Sequence, residues 1–233
     1  MISLDAARRA LAEQYVPPLD LTSDMLFAFA LCPAGPLQET FPGVPFCVWQ
    51  GQTPLAMWFS RITAGCYQDP AGVRHCESDV ARGLYNELTV IALLRTRAIF
   101  VPGIYATSER TIAIGQYRYG MPKQPAAMVV QQRGGRFRAR VATGHEESSV
   151  SARLLGNGAP FARLLAWALP RPTWPARFPS GHEVRPVIQA ASRVQGALIQ
   201  RGRLAVDAAW LPRAASLWPV GAYVSGLQMR LPP

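Results

Sequence analysis

Short runs of apolar and β-branched residues recur along most of the chain, and such runs predict buried strands. The clearest run covers residues 85–94 and contains one carboxylate, Glu87. Further runs predict strands at residues 56–62, 98–105, 194–199, 203–210 and 220–231. Because carboxylates are seldom buried without a partner, Glu87 is a candidate functional residue.

Helical patterns are confined to short segments. Residues 2–14 have the spacing of an amphipathic helix. Residues 107–114 predict a helical turn, with Thr107 as its N-cap and Gly115 as its C-terminal stop. Residues 159–169 predict another short helix.

Turns and loops account for the remaining patterns. Two alternating segments, residues 126–132 and 137–142, flank a pair of glycines and predict a β-hairpin. Residues 66–82 are polar and predict a loop, and the proline-rich segment 170–186 predicts a crossing over the surface. The sum predicts a mainly β (α+β) chain with one continuous core, forming a single domain over residues 1–233.

The composition agrees with a folded chain and narrows its class. Of 233 residues, 49% are hydrophobic and 16% are charged, which argues against disorder. No apolar run approaches the roughly 18 residues that span a bilayer, and the N-terminus has no signal-peptide pattern. We therefore expect a cytoplasmic protein without membrane contact.

The cysteine and histidine positions predict neither disulfides nor a metal site. The four cysteines show no CxxC spacing, and the three histidines are scattered along the chain. Free thiols are the expected state of these cysteines in a reducing cytoplasm.

Net charge is +10, which raises the question of an anionic partner. Three arginines, Arg136, Arg138 and Arg140, alternate with apolar residues and would share one face of a strand. A solvated outer face is the favoured interpretation. Nucleic-acid binding is disfavoured, because the arginines are spread over the chain and no known motif is present.

Lys123 is the only lysine among 24 basic residues. It lies between Pro122 and Pro125, which favour an extended backbone. A lysine must lose its proton before it attacks a carbonyl, and apolar surroundings favour the neutral form. The neighbouring sequence suits a nucleophilic amine, but a surface lysine on a turn fits it equally well.

Two motifs resemble the acetoacetate decarboxylase-like family. Residues 115–126, GlyGlnTyrArgTyrGlyMetProLysGlnProAla, are similar to the family's Gly-Arg-Glu-x-x-Gly-x-Pro-Lys stretch. Residues 83–88, GlyLeuTyrAsnGluLeu, are similar to its upstream Tyr-x-Glu segment. The resemblance implies a cone-like β-barrel around an apolar pocket, and an oligomer of identical chains. It also implies a lyase of secondary metabolism that acts without a cofactor on a small carbonyl compound.

The resemblance also implies roles for individual residues. Lys123 would form a Schiff base with the substrate, and Glu87 would act in acid–base chemistry. The candidate substrate-binding residues are Tyr85, Tyr117, Tyr119, Met121, Gln124 and Ser60.

Several family features are missing from this chain. Decarboxylating members carry a second lysine where this chain has Gln124, and that lysine's charge helps to activate the first. The Gly-Arg-Glu element reads Gly115–Gln116–Tyr117, and Ser60 replaces an expected acid. We therefore expect imine chemistry other than acetoacetate decarboxylation, such as aldol condensation or dehydration. A cyclase or isomerase without an imine and a ligand-binding protein remain open alternatives, and a basic nucleic-acid-binding protein is a weaker one.

Overall fold

In a computed structural model, the structure describes residues 3–96, 98–156 and 175–232. The helix expected at residues 159–169 and the start of the segment 170–186 lie outside the described residues. The helices in the described part are α1 (Leu4–Glu13), α2 (Ala34–Thr40) and α3 (Glu109–Tyr119).

Strands dominate the described residues, as predicted. They are β1 (Val16–Pro33), β2 (Gln52–Gln68), β3 (Arg74–Ser78), β4 (Tyr85–Leu93), β5 (Ile99–Ala106), β6 (Lys123–Pro125), β7 (Ala127–Arg133), β8 (Arg136–Thr143), β9 (Glu146–Leu154), β10 (Ala176–Arg177), β11 (Glu183–Val184), β12 (Val187–Ala190), β13 (Arg193–Leu204), β14 (Ala215–Ser216) and β15 (Val220–Leu231). Strand β13 covers the strand predicted at 194–199 and continues into the start of the strand predicted at 203–210. Residues 205–210 lie beyond the end of β13.

Fifteen strands of the described chain form one sheet, whose main path runs β11-β10-β5-β4-β2-β1-β15-β13-β9-β8-β7. Most pairs are antiparallel, whereas β6 and β10 pair parallel with β5. The sheet curls until β7 approaches β4, where the Asn86 amide contacts the Met128 carbonyl at 3.5 Å. The curled sheet therefore encloses a core.

The two faces of the sheet carry different layers. The inner face holds the largest apolar cluster, which includes Leu88, Phe59, Phe137 and Tyr223. The outer face of β1, β2, β4 and β5 carries a second cluster, which includes Tyr119 of α3. Because successive side chains alternate across a strand, β1, β2, β4 and β5 each contribute to both layers.

The predicted loop at residues 66–82 is wrong. Strand β2 continues to Gln68, and β3 pairs with it so that Cys66 lies directly opposite Cys76. These two cysteines form a disulfide, whereas Cys32 and Cys47 are free, so the expectation of four free thiols is wrong. The strand was missed because β3 is exposed over most of its length and lacks an apolar face.

The predicted bounds of the helical turn at residues 107–114, which corresponds to α3, also need correction. Its N-cap is Ser108 rather than Thr107, and the helix runs past Gly115 to Tyr119. Gly120 ends it in the left-handed conformation, at φ 61°. Gly115 instead serves a packing role at the candidate site.

The hairpin of β7 and β8 forms as predicted. Its register pairs Ala127 with Ala142 and Arg133 with Arg136. Exposed and buried residues alternate strictly along β8, so its arginines face outward and Phe137 faces the core. No helix in the described residues is long and apolar enough to cross a membrane.

Candidate active site

Glu87 is the third residue of β4 and lies on the outer face of the sheet. It shares this face with Tyr85, Thr89 and Ile91, because alternate residues of a strand point the same way. Across the sheet, Ser60 of β2 is its direct partner in the register. Because β4 pairs with β2 on one side and with β5 on the other, its backbone holds the Glu87 carboxylate in a fixed position.

Lys123 follows the turn that ends α3 and is the first residue of β6. Its backbone is fixed by parallel pairing with Ile104 of β5. The Gln116 side chain donates to the Lys123 carbonyl at 2.7 Å, and the Met121 amide donates to the Gly115 carbonyl at 2.9 Å. These bonds tie the lysine to the last turns of α3.

The lysine stem crosses α3 at Gly115. A Cβ atom on Gly115 would lie 2.5 Å from Cδ of Lys123 and 3.0 Å from its Cγ and Cε. Real Cβ contacts are seldom shorter than 3.4 Å, so a larger residue would displace the stem. The absence of a side chain at Gly115 therefore allows Lys123 to reach the sheet.

The two candidate catalytic groups meet in a buried ion pair. The Lys123 Nζ donates to Glu87 Oε2 at 2.6 Å, and the two side chains are only 8% and 15% exposed. Thr89 donates to the second carboxylate oxygen at 3.1 Å. Burying two charges costs desolvation energy, and close pairing with further hydrogen bonds offsets it.

Tyr85 lies next to this pair. The Lys123 Nζ is 6.0 Å from the centre of the Tyr85 ring. Burial raises the pKa of Tyr85 well above its usual value, and the Glu87 charge raises it further. Its phenol therefore stays protonated at neutral pH and can donate a hydrogen bond.

Two cavities border Lys123. The first, here called the polar cavity, has a volume of about 60 Å³, and its polar lining includes Tyr67, Tyr85, Glu77 and Arg110. The second, called the apolar cavity, has a volume of about 80 Å³. The residues that line both cavities are Leu21, Met121, Lys123 and Leu231.

The structure brings most of the predicted site residues to these cavities. Tyr119 lines the polar cavity, Ser60 lines the apolar cavity, and Met121 borders both. Two predicted residues do not line either cavity. Tyr117 turns toward α1 and hydrogen-bonds Asp5, and Gln124 is exposed on β6.

Sequence reasoning missed a second ion pair at the site. Arg110 of α3 bonds Glu77 of β3, and both residues line the polar cavity. Tyr15 also lines this cavity, with the Arg110 guanidinium carbon 5.8 Å from its ring centre. No local motif indicates this pair, because the pair depends on strand β3, which was not predicted from the sequence.

The described residues contain no group of three or more histidine, cysteine, aspartate or glutamate residues that could hold a metal ion.

Fold and motifs together define an acetoacetate decarboxylase-like architecture, and comparison with solved structures confirms this fold. One similar structure is the enduracididine biosynthesis enzyme MppR, complexed with the condensation product of pyruvate and imidazole 4-carboxaldehyde. It has a TM-score of 0.56 and 12% identity, over 94% of this chain and 88% of that one.

Two further structures match similarly. An acetoacetate decarboxylase-like enzyme from Sphingomonas wittichii RW1 has a TM-score of 0.56 and 15% identity, over 92% of this chain and 91% of that one. The acetoacetate decarboxylase from Legionella pneumophila has a TM-score of 0.55 and 12% identity, over 94% and 87%. No family model and no curated protein matches the chain. At these identities the likeness shows the fold alone.

Proposed function

We propose that this protein is an enzyme that forms a Schiff base between Lys123 and a keto acid or other carbonyl compound, and that it performs lyase-type chemistry. The buried contact of 2.6 Å between Lys123 and Glu87 carries the proposal. The amine and its proton acceptor lie within hydrogen-bond reach; Lys123 borders both cavities, and Glu87 borders the apolar one.

The proposed reaction begins with a proton transfer. Glu87 takes one proton from the Lys123 ammonium, and the freed nitrogen lone pair attacks the carbonyl carbon. The carbonyl oxygen is protonated and leaves as water, which gives a protonated imine. Tyr85 lines the polar cavity with its ring centre 6.0 Å from Lys123 Nζ, and it would donate a hydrogen bond to that oxygen while it carries negative charge.

The imine then serves as an electron sink. When a proton or a carboxylate group leaves the adjacent carbon, the bonding electrons move to the nitrogen and form an enamine. The enamine can take up a proton or attack a second carbonyl carbon. Hydrolysis of the resulting imine frees the product and restores the amine.

Acetoacetate decarboxylation itself is not part of the proposal. Gln124 occupies the position of the family's second lysine, and its side chain lies outside both cavities. Condensation or dehydration suits the site better, and MppR supplies a precedent in the condensation product that its structure holds. Cytoplasmic location, assembly into oligomers and a role in secondary metabolism stay predictions.

Deuterium exchange tests the proposal. Pyruvate, acetone and acetoacetate would each be incubated in D₂O with the protein, and loss of the methyl protons would be followed by NMR. We expect the wild-type protein to accelerate exchange of at least one compound and Lys123→Arg to lose the acceleration, because arginine forms no imine at neutral pH.

Other results separate the alternatives. Exchange that persists in Lys123→Arg would overturn the imine and favour an isomerase or cyclase that acts by acid–base chemistry alone. Binding of the compounds without any exchange would favour a ligand-binding protein on the same fold.

A further inference from the structure

The apolar cavity has no assigned role in the reaction just described, and it is larger than the polar one. Building on the proposed Schiff base, we propose that it binds the long apolar arm of a two-armed ketone whose carbonyl carbon is held by Lys123. The shorter arm of the same ligand would occupy the polar cavity.

The position of Lys123 at the junction of the two cavities supports a ligand with two arms. Its side chain lines both cavities, together with Leu21, Met121 and Leu231. An imine carbon derived from a ketone carries two carbon substituents, which diverge from the nitrogen in one plane. A ketone bound at this junction can therefore extend one substituent into each cavity, whereas an aldehyde would leave one cavity empty.

The chemistry of the walls decides which arm goes where. Most of the apolar cavity is formed by apolar side chains, such as Trp58, Ile91, Val101, Ile104 and Phe178. Its polar side chains gather near the lysine: Thr89 bonds Glu87, and Ser60 lies opposite Glu87 in the sheet. Beyond the reacting centre, the cavity offers an apolar surface.

The charges of the lining residues also assign the apolar arm to the apolar cavity and the polar arm to the polar cavity. Lys123 and Glu87 are the charged residues among the described lining of the apolar cavity, and they neutralise each other. A charged substituent there would lose its hydration without gaining a partner. The polar cavity offers hydrogen-bond donors beyond its Arg110–Glu77 pair, among them the phenol of Tyr85, so it suits a short polar arm such as a carboxylate.

Chain length gives a measurable expectation. Each methylene that leaves water for an apolar site contributes about fourfold in affinity. The 2-oxo acids from pyruvate to 2-oxooctanoate extend one arm while keeping the carboxylate. Protein with each acid at the same low concentration would be treated with borohydride, which adds hydride to the imine carbon and leaves a secondary amine. We expect the yield of the Lys123 adduct to rise at least tenfold from pyruvate to 2-oxooctanoate.

Variants locate the effect in the cavity. Val101→Phe would fill the apolar cavity from β5, and Ala176→Phe would fill it from β10. In each variant the ratio of 2-oxooctanoate adduct to pyruvate adduct should fall toward one. Val129→Phe makes the same chemical change on the exposed side of β7, and its ratio should match that of the wild type. Because the two variants change separate strands, the test still stands if one of them fails to fold.

A companion measurement keeps this inference separate from the Schiff base. The 2-hydroxy acids carry the same arms without a keto group, so they can bind but cannot form an imine. By calorimetry, 2-hydroxyoctanoate should bind at least tenfold more tightly than lactate, and Val101→Phe should remove the difference. Equal binding of the two acids, or adduct yields independent of chain length, would overturn the apolar-arm assignment and leave the imine intact. Tight binding of 2-hydroxyoctanoate with no adduct from any 2-oxo acid would overturn the imine and leave the apolar site standing.

Discussion

Gly115→Ala is the substitution that most sharply separates the packing of the lysine from the stability of the fold. Gly115 lies within α3 in an ordinary helical conformation, so alanine is compatible with the backbone there. Alanine should favour the helix by about 0.8–1 kcal/mol over glycine. Its methyl group, however, would lie 2.5 Å from Cδ of Lys123.

The expected magnitude follows from this distance. Ordinary contact begins near 3.4 Å, so the stem must move by about 1 Å, since 3.4 less 2.5 leaves 0.9. The stem is held at one end by β6 and at the other by Glu87, so the shift reaches the amine. A misplacement of about 1 Å can cost roughly 100-fold in rate. Overpacking costs about 1–3 kcal/mol, and the helix gain offsets part of it.

Two assays check the prediction. We expect the deuterium-exchange rate of Gly115→Ala to fall about 100-fold, while its free energy of unfolding changes by no more than about 2 kcal/mol. Gly35→Ala is the matched control, because Gly35 lies in α2 with no atom within 4 Å of an added Cβ. It should keep the wild-type rate. An unchanged rate in Gly115→Ala would refute the claim that Gly115 positions the lysine.

Three further predictions concern the carboxylates and the disulfide. Glu87→Gln keeps the size of the side chain and its bond with Thr89 but removes the proton acceptor, so exchange should slow by about 10²–10⁴; a wild-type rate would exclude Glu87 as the base. The Cys66–Cys76 disulfide joins residues 10 apart in sequence, and the double serine variant should lose about 3 kcal/mol of stability, or about 6–12 °C in melting temperature. Identical calorimetric melting of the wild type and this variant would contradict that estimate. The Arg230 hydrogen bond lowers the pKa of Asp20, so Asp20 stabilises the fold above its unfolded pKa of about 3.9, and this contribution is lost as pH falls through the lower folded value. Asp20→Asn should therefore destabilise the protein at pH 7 and have little effect near pH 2, as denaturant titrations at the two pH values would show.

Local sequence was sufficient to find the centre of the candidate site. Glu87 stands out because an apolar strand rarely carries a carboxylate, and Lys123 because it is the only lysine, set between two prolines. The structure places these two side chains in contact. The contact follows from parallel pairing of β6 with β5, which no local pattern specifies.

Contacts between residues far apart in the chain could not be predicted from the sequence. Glu77 meets Arg110, and Cys66 meets Cys76, because β3 pairs with β2. That strand is short and exposed, so its residues lack the apolar alternation that marks strands. Tyr117 was assigned to the site from its nearness to Lys123 in sequence, but the helix turns its side chain toward α1.

Mapping a reduced adduct tests the central claim most directly. The protein would be incubated with pyruvate or 2-oxooctanoate, treated with borohydride and digested, and the labelled peptide identified by mass. Because the chain has one lysine, the side-chain label can lie only at Lys123, and the N-terminal amine is the other primary amine. We predict a ligand-dependent adduct on Lys123, with the mass of the ligand less one oxygen. Labelling confined to the N-terminal amine, or no labelling with either acid, would contradict a Schiff base at this site.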